Sequence, residues 1–305
     1  MSTVFIAGLI NVETTIQVET FPIEYSPVRY PFFGVSSTIS GVGYNVAKAL
    51  TTLGDQVRFA ALIGRDPAGD LVRYALEADR LPAEFVLAVL EQTPQSAILF
   101  DRGGRRQINV DLKDIQDRVY PPERFEQAIA GCDLAVLCNI NFARPLLESV
   151  RRRGIPIATD VHSIADLDDA YNRDFMAAAD ILFMSHELLP CSPEEWAQRV
   201  FSRYDTKIVV VGLGPDGAAL AVRQDGFIGR FPAVHTRPVV NTIGAGDALF
   251  SAFVHFYCAT HAPYEALQRA ITFASYKVGT SGAAQGFLDA RALEALHAAV
   301  NQSAG

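Results

Sequence analysis

Positive charge is the first thing this sequence is short of. Its 26 lysines and arginines face 34 aspartates and glutamates, leaving a formal net charge of -8. A surface that holds a nucleic-acid backbone needs a basic stripe instead, so nucleic acid is not an expected partner. Phosphate on a small ligand stays open, because main-chain N–H groups at a helix start hold phosphate without lysine. Cysteine is scarce as well. Cys132, Cys138, Cys191 and Cys258 form no CxxC pair and no finger-like spacing with histidine, and buried thiols in a reducing cytoplasm are the simplest expectation. Long apolar runs are missing: the longest apolar helical stretch, 248–258, carries His255 and is too short for a bilayer. Residues 1–10 lack a basic start followed by a sufficient apolar stretch, so neither a signal peptide nor a membrane partner is expected. No GxxxxGK[ST] loop occurs, which removes the P-loop nucleotide site.

What is present is an alternation of short apolar runs and amphipathic stretches. Residues 4–9 read as a buried strand, 43–53 as a helix closed by Gly54, 57–63 as a second strand and 67–79 as a second helix. From residue 122 onward the pattern predicts helix to 130, strand 134–137, helix 143–153, strand 156–159, helix 171–178 and strand 181–184. A helix at 194–203, a strand at 208–211, a hairpin of 218–222 with 227–231 and three closing helices complete it. This alternation predicts a mostly parallel sheet covered by helices on both faces, a three-layer α/β/α sandwich. Two stretches fit that sheet poorly. Residues 11–37 alternate polar and apolar and break at Pro22, Pro27 and Pro31, and 96–100 with 107–110 flank the turn "DRGGRR". They predict a small discontinuous β-lid (11–37 and 94–114) on a core of 1–10, 38–93 and 115–305.

Two glycine-bearing segments compete for a nucleotide. "GLGPDG" (212–217) matches GxGxxG after a strand, yet "AALAVRQDGFIGRF" follows it as a hairpin, with no helix start to receive a pyrophosphate. "NTIGAGDALFSAF" (241–253) does run into a helix. Gly244 and Gly246 let amides converge on an anion, the helix dipole adds favourable potential, and Asp247 stands where it could take a proton from an alcohol. On spacing alone, an aspartate that merely complements the dipole is equally compatible. "SGVGYNVAKALTTLG" (40–54) opens another helix with Gly41 and Gly43 ahead of Asn45; alone it too reads as a capping sequence.

Together, in this order and separation, the two helix-opening segments resemble the signatures of the ribokinase-like sugar and nucleoside kinases, the phosphofructokinase-B family. "GLINVE", "LIGRDPAGD", "VVVGLGPDGAAL" and "AITFASYKVGTSGAAQG" resemble further segments of that family, so the likeness spans nearly the whole chain. The resemblance implies a Rossmann-like α/β/α fold with a β-lid, ATP and Mg²⁺ as cofactors, and K⁺ as a further ion. It implies Asp247 as catalytic base and Gly244, Ala245 and Gly246 as an anion hole. Glu13, Gly41, Gly43 and Asn45 fall on the substrate side, and Gly212, Gly214, Gly217, Thr242 and Ser275 on the nucleotide side. The monovalent cation would lie near Asn241 and Ile243. A homodimer through the lid is a further implication, as is a cytoplasmic location.

Departures from the family pattern matter. Glu13 stands where an aspartate usually contacts the substrate, and Asn241 replaces the first aspartate of Asp-Thr-x-Gly-Ala-Gly-Asp. Ser185 and Leu188 occupy the two positions of the magnesium-linked Asn-x-x-Glu, which leaves Glu187 as the substitute; His162 stands where asparagine is usual after Asp160. Outside the resemblance, His162 and His186 lack a third metal ligand at a telling spacing. Arg102, Arg105 and Arg106 read as a solvated turn before they read as a substrate clamp. Tyr25, Tyr30, Phe32 and Phe33 suit either a ring-bearing substrate or a lid-to-lid contact. The expected activity is transfer of the γ-phosphate of ATP to a primary hydroxyl of a furanose-type sugar or a nucleoside. The rival from another class is a catalytically silent sugar- or nucleoside-binding protein on the same fold.

Overall fold

Alternate residues of the central strands face opposite ways, and both sets are apolar. In the first strand, β1 (Thr3–Ala7), Val4 and Ile6 join one core while Phe5 and Ala7 join the other. A strand buried on both faces belongs inside a parallel sheet covered by helices. The computed structural model, which describes residues 1–101, 103 and 105–303, has that architecture.

After β1 the chain makes β2 (Asn11–Gln17), β3 (Val35–Ser40), α1 (Val42–Leu53), β4 (Gln56–Gly64), α2 (Pro67–Ala78) and β5 (Val86–Leu90). Then come β6 (Gln95–Phe100), β7 (Arg106–Asp111), α3 (Pro122–Ile129), β8 (Leu134–Leu137), α4 (Arg144–Arg152) and β9 (Ile157–Ser163). The chain closes with α5 (Arg173–Ala178), β10 (Ile181–Ser185), α6 (Pro193–Arg203), β11 (Ile208–Gly212), β12 (Ala218–Val222), β13 (Phe227–Phe231), α7 (Ala245–Thr260), α8 (Pro263–Lys277) and α9 (Ala290–Ser303).

The large sheet runs β13-β12-β11-β10-β9-β8-β1-β4-β5, parallel except for the β12–β13 hairpin at one edge. The chain leaves β1 toward β4 on one side and later returns to β8 on the other. Ligands in such sheets bind where the order reverses, beyond the C-terminal ends of the strands. A second sheet, β3-β2-β6-β7, stands apart. Its β3 continues to Ser40, three residues past the expected lid boundary at 37, because Asn11 still pairs with Ser40. The sequence reading also passed over β5, a short run after Pro82 whose exposure is mixed. Residues 232–241 are irregular.

Helix α7 is the element that matters for the site, and it is fixed along its length. Phe250 and Phe253 pack their rings on Phe183 of β10 at 4.9 and 5.2 Å. His255, further along, meets the Asp55 carboxylate at 2.7 Å. At 16 residues α7 is the longest helix described, and no helix among the described residues is long and apolar enough to cross a membrane.

The base of the lid is braced by Asp66. Its side chain caps α2 by accepting from Gly69 N at 3.0 Å, and it accepts from Thr93 N at 3.1 Å and Thr93 Oγ1 at 2.6 Å. Thr93, fully buried, in turn accepts from Gly64 N at 2.9 Å, two residues before β6 enters the lid. Despite the cost of burial, these donors hold the Asp66 carboxyl below the usual carboxylate range. A depressed pKa means stability that is present above the unfolded value and lost as pH falls through the folded one. Asp66→Ala should therefore lower unfolding free energy by about 1–3 kcal/mol at neutral pH, through the lost cap and the unsatisfied Thr93. Urea denaturation measures it, and the deficit should shrink as the pH is taken below the ordinary aspartate range.

Candidate active site

Two helices begin at one place. Helix α1 starts after Gly41 and α7 after Gly244, beyond the C-terminal end of β1. The approach of α1 to the strand requires glycine on both sides: a Cβ on Gly43 would fall 2.5 Å from the Gly8 carbonyl carbon, and one on Gly8 2.7 Å from Gly43 Cα. At the other helix, Gly244 adopts φ 76°, and a Cβ there would fall 2.4 Å from the Ala283 carbonyl oxygen. Gly246 faces open space. Gly246 and Asp247 are the second and third residues of α7, whose N–H groups have no acceptor within the helix. Ala245 differs, since its N–H donates to Thr242 O at 3.2 Å. The amides left to meet an anion are thus those of Gly244, Gly246 and Asp247.

Between the two helix starts lies the central contact. Asn45, in the first turns of α1, donates from Nδ2 to Asp247 Oδ2 at 2.6 Å. Burial pushes the Asp247 carboxyl above the usual aspartate range; Asp160 adds to the rise, while the Asn45 amide, His162 and Lys277 oppose it. A carboxylate disfavoured as an anion is the stronger proton acceptor. The Oδ1 atoms of Asn45 and of Asn11 are both buried without a partner, although Asn11 Nδ2 reaches Ser96 Oγ at 3.0 Å. Buried acceptors in native proteins are nearly always paired, and the orphan on Asn45, whose amide holds Asp247, marks a place for a hydroxyl donor.

Glu13 enters from the lid on β2. It is 7% exposed, and burial raises its pKa; the Ser40 hydroxyl bonded to it lowers it again, and the Asp247 charge raises it. Among the described residues the one buried lysine or arginine is Lys277 at the end of α8, fully enclosed and hydrogen-bonded through Nζ to Ile243 O. Burial pushes its pKa down to about 8, with the carboxylates of Asp247 and Glu13 opposing that fall. At neutral pH it is therefore still an ammonium, set among acids.

The remaining expected positions divide. Gly212 and Gly214 stand at the C-terminal end of β11, on the same edge of the sheet as Asp160 and Glu187. Gly217 is needed by the hairpin itself, since a Cβ there would fall 2.1 Å from Phe231 O. The Ser275 hydroxyl is engaged with the 232–241 loop, donating to Val234 O at 2.6 Å and lying 3.2 Å from Thr236 N. Thr242 is exposed and lies 3.5 Å from Arg106 Nη1 on lid strand β7. Arg105 is structural, held by Asp101, Thr20 and Phe21 O, while Arg102 lies outside the described residues. Glu187 is an exposed carboxylate 3.4 Å from Ser163 Oγ. His162 and His186 do not converge: the first faces Asp160 at 3.9 Å, the second Gly212 O at 2.9 Å. No group of three metal-ligating side chains occurs among the described residues. Tyr25, Tyr30, Phe32 and Phe33 are highly exposed on the lid loop, with Tyr30 stacked on Phe32 at 6.3 Å. Cys132 and Cys138 are buried as expected, whereas Cys191 and Cys258 are only half-buried.

At Asn241 and Ile243, where the resemblance put a monovalent cation, the side chain and carbonyl are engaged by hydrogen bonds. Asn241 Oδ1 accepts from Ile243 N at 2.8 Å, Asn241 Nδ2 donates to Ser281 O at 2.8 Å, and Ile243 O accepts from Lys277. The Asn241 side chain and the Ile243 carbonyl thus each already hold a hydrogen-bond partner. Sequence reasoning missed Lys277 and gave Asn11 no role of its own. "ASYKVG" reads as a basic residue at a helix C-terminus, and nothing local shows that the side chain turns inward. A surface cavity of about 640 Å³ lined by Asp55, Arg58, Arg80 and Glu84 opens beside the start of β4, the opposite edge of the sheet, and has no part in this site.

Comparison with known proteins places the geometry in context. The family model described as pfkB family carbohydrate kinase matches residues 1–291. The acarbose 7(IV)-phosphotransferase of an Actinoplanes species is 27% identical over 260 residues, covering 84% of this chain and 85% of that protein. The ATP-dependent ribose-1-phosphate kinase of Halopiger xanaduensis is 27% identical over 286 residues, covering 93% and 94%. Among solved structures, the microbiome-derived acarbose kinase Mak1 superposes with a TM-score of 0.87 at 25% identity, covering 97% of this chain and 99% of that one.

The buried Glu13 carboxyl generates a prediction. A carboxyl whose folded pKa is raised leaves stability intact below its unfolded pKa and loses it as pH climbs through the folded value. Glu13→Gln has nothing to ionise. Its melting temperature should exceed that of the wild type at neutral pH, and the gap should close as the pH falls below about 4, where glutamate becomes neutral in both states. Thermal melts across pH read this directly.

Proposed function

The chain belongs to the pfkB family of carbohydrate kinases, and we propose from its site that it transfers the γ-phosphate of ATP to a primary hydroxyl of a furanose-type sugar or a nucleoside. The observation that carries this is the Asn45–Asp247 hydrogen bond at 2.6 Å between two helix starts. It sets a proton acceptor beside main-chain donors suited to phosphate.

In this reading Asp247 accepts the hydroxyl proton as the oxygen bonds to the γ-phosphorus and the bond from that phosphorus to the β-γ bridging oxygen breaks, releasing ADP. Asn45 fixes the carboxylate and, with Asn11, offers unpaired carbonyl oxygens to neighbouring sugar hydroxyls. Glu13, from the lid, accepts from a further hydroxyl, with Gly41 and Gly43 shaping the substrate side. Charge on the transferring phosphoryl group meets the Gly244, Gly246 and Asp247 amides and the α7 dipole, so positioning and electrostatics supply most of the rate. The nucleotide lies along Gly212, Gly214, Gly217 and Thr242; the bonds of Ser275 support the adjoining loop instead. Kinases of this family use a divalent metal, which when bound neutralises phosphate charge. Glu187 suits it as an exposed carboxylate at the phosphate edge, since Mg²⁺ keeps much of its water and takes few protein ligands. The uncovered aromatics of the lid loop are the face we assign to a second copy of the chain.

Asp247→Ala should cut turnover by a factor of about 100 or more, the usual loss with a general base, while the fold persists. ADP release measured across a panel of sugars and nucleosides, with binding titrations alongside, reads the effect. A folded Asp247→Ala that turns over near the wild-type rate sinks the assignment of the base. Ligand binding by the wild type without ADP release favours the silent binding protein.

A further inference from the structure

The Gly244–Gly246 nest is built on a segment, 237–243, that must itself be held. Two organic cations hold it from within. The Lys277 ammonium, fully buried, donates to Ile243 O, the carbonyl immediately before the nest. Arg237, at the other end of the segment, donates from Nε to Tyr276 O at 2.6 Å and lies over the Tyr276 ring at 3.6 Å. Its side chain lies tightly against the 277–286 loop: a Cβ on Gly279 would fall 2.2 Å from Nε.

The same loops offer little to a metal ion. Val278 O accepts from both Val240 N and Asn241 N, at 2.8 and 3.0 Å. The Asn241 side chain is spent on Ile243 N and Ser281 O, and Arg237 Nη2 is a buried donor with no acceptor. Potassium needs several free oxygens; here the Asn241 side chain, Ile243 O and Val278 O already hold partners, and the Lys277 and Arg237 cations lie against the same loops, opposing a third positive charge.

We propose that the Lys277 ammonium, with Arg237 bracing the same loops, is the resident monovalent cation of the nest, so that this chain neither binds nor requires potassium there. Resting on the kinase reading only for its activity arm, the proposal makes Lys277 a positioning residue: it fixes the carbonyl from which the nest turns and places a positive charge beside Asp247 and Glu13.

The first test needs no substrate and no variant. Melting of the wild type is followed in potassium, thallium(I), sodium or tetramethylammonium salts at equal ionic strength. The expected result is one melting temperature throughout, and a saturable rise with potassium or thallium overturns the proposal. Because no nucleotide or sugar is present, that outcome would leave the kinase reading standing. The second test follows ADP release in the same salts, where only the common effect of ionic strength is expected; selective activation by potassium overturns the proposal. Third, Lys277→Ala should lose about a hundredfold in kcat with little change in sugar KM, and Lys277→Arg should recover part of it. A folded Lys277→Ala with wild-type kcat in tetramethylammonium overturns the proposal.

Discussion

The site hangs on how closely one helix start can approach the end of one strand. Gly8 and Gly43 touch almost backbone to backbone, and only that contact brings the first turns of α1 near enough to α7 for Asn45 to reach Asp247. Both partners are then rigid, because each belongs to a helix packed on the sheet. The rings of Phe250 and Phe253 on Phe183, and the Asp55–His255 contact, fix α7 far beyond its first turn. A hydrogen bond between loop residues would hold the carboxylate far less well, and a proton acceptor misplaced by an ångström loses much of its effect.

Holding acids in that space has a cost that the surrounding residues share out. Asp247 and Glu13 are each pushed up by burial, and each raises the other or is raised by a neighbouring acid. Unpaired charges in such a place are strongly unfavourable. Lys277 offsets them while satisfying Ile243 O, and the Ser40 hydroxyl serves Glu13. The cation is thus tied to the carboxylates electrostatically and to the nest by a hydrogen bond. One side chain serves both halves of the site.

Much of this was legible in the sequence because it rests on local patterns. The helix from 42 to 53 with its Gly54 stop, the strand at 134–137 and the 218–231 hairpin emerge close to their expected bounds, since apolar periodicity and turn residues encode them directly. The Gly-Ala-Gly-Asp start of α7 and the glycines ahead of Asn45 were readable for the same reason. What escaped depends on distance in the chain. Lys277 and Ile243 are 34 residues apart, and Arg237 and Tyr276 39; no window along the sequence brings them together. Ser275 shows the converse: a polar residue in a suggestive position whose bonds go to a loop segment 39–41 residues away. β5 was lost because an edge strand with mixed exposure carries neither of the periods that announce a strand.

The lid joins the two ends of the site mechanically. Its four strands form one hydrogen-bonded sheet in which β2 pairs with β6 and β6 with β7. Glu13 rides on β2 at the substrate side, and Arg106 begins β7 and reaches Thr242 beside the nest. The Asp66–Thr93 brace pins the chain just before β6, which anchors the small sheet to the core at that point. A sheet moving as a body must make or lose the Glu13 and Arg106 contacts together. On the kinase reading, a ligand that engages Glu13 would therefore favour the same sheet position that keeps Arg106 beside Thr242. In a kinase built this way, exclusion of water is what would let an acid at a helix start act on a sugar hydroxyl in preference to solvent.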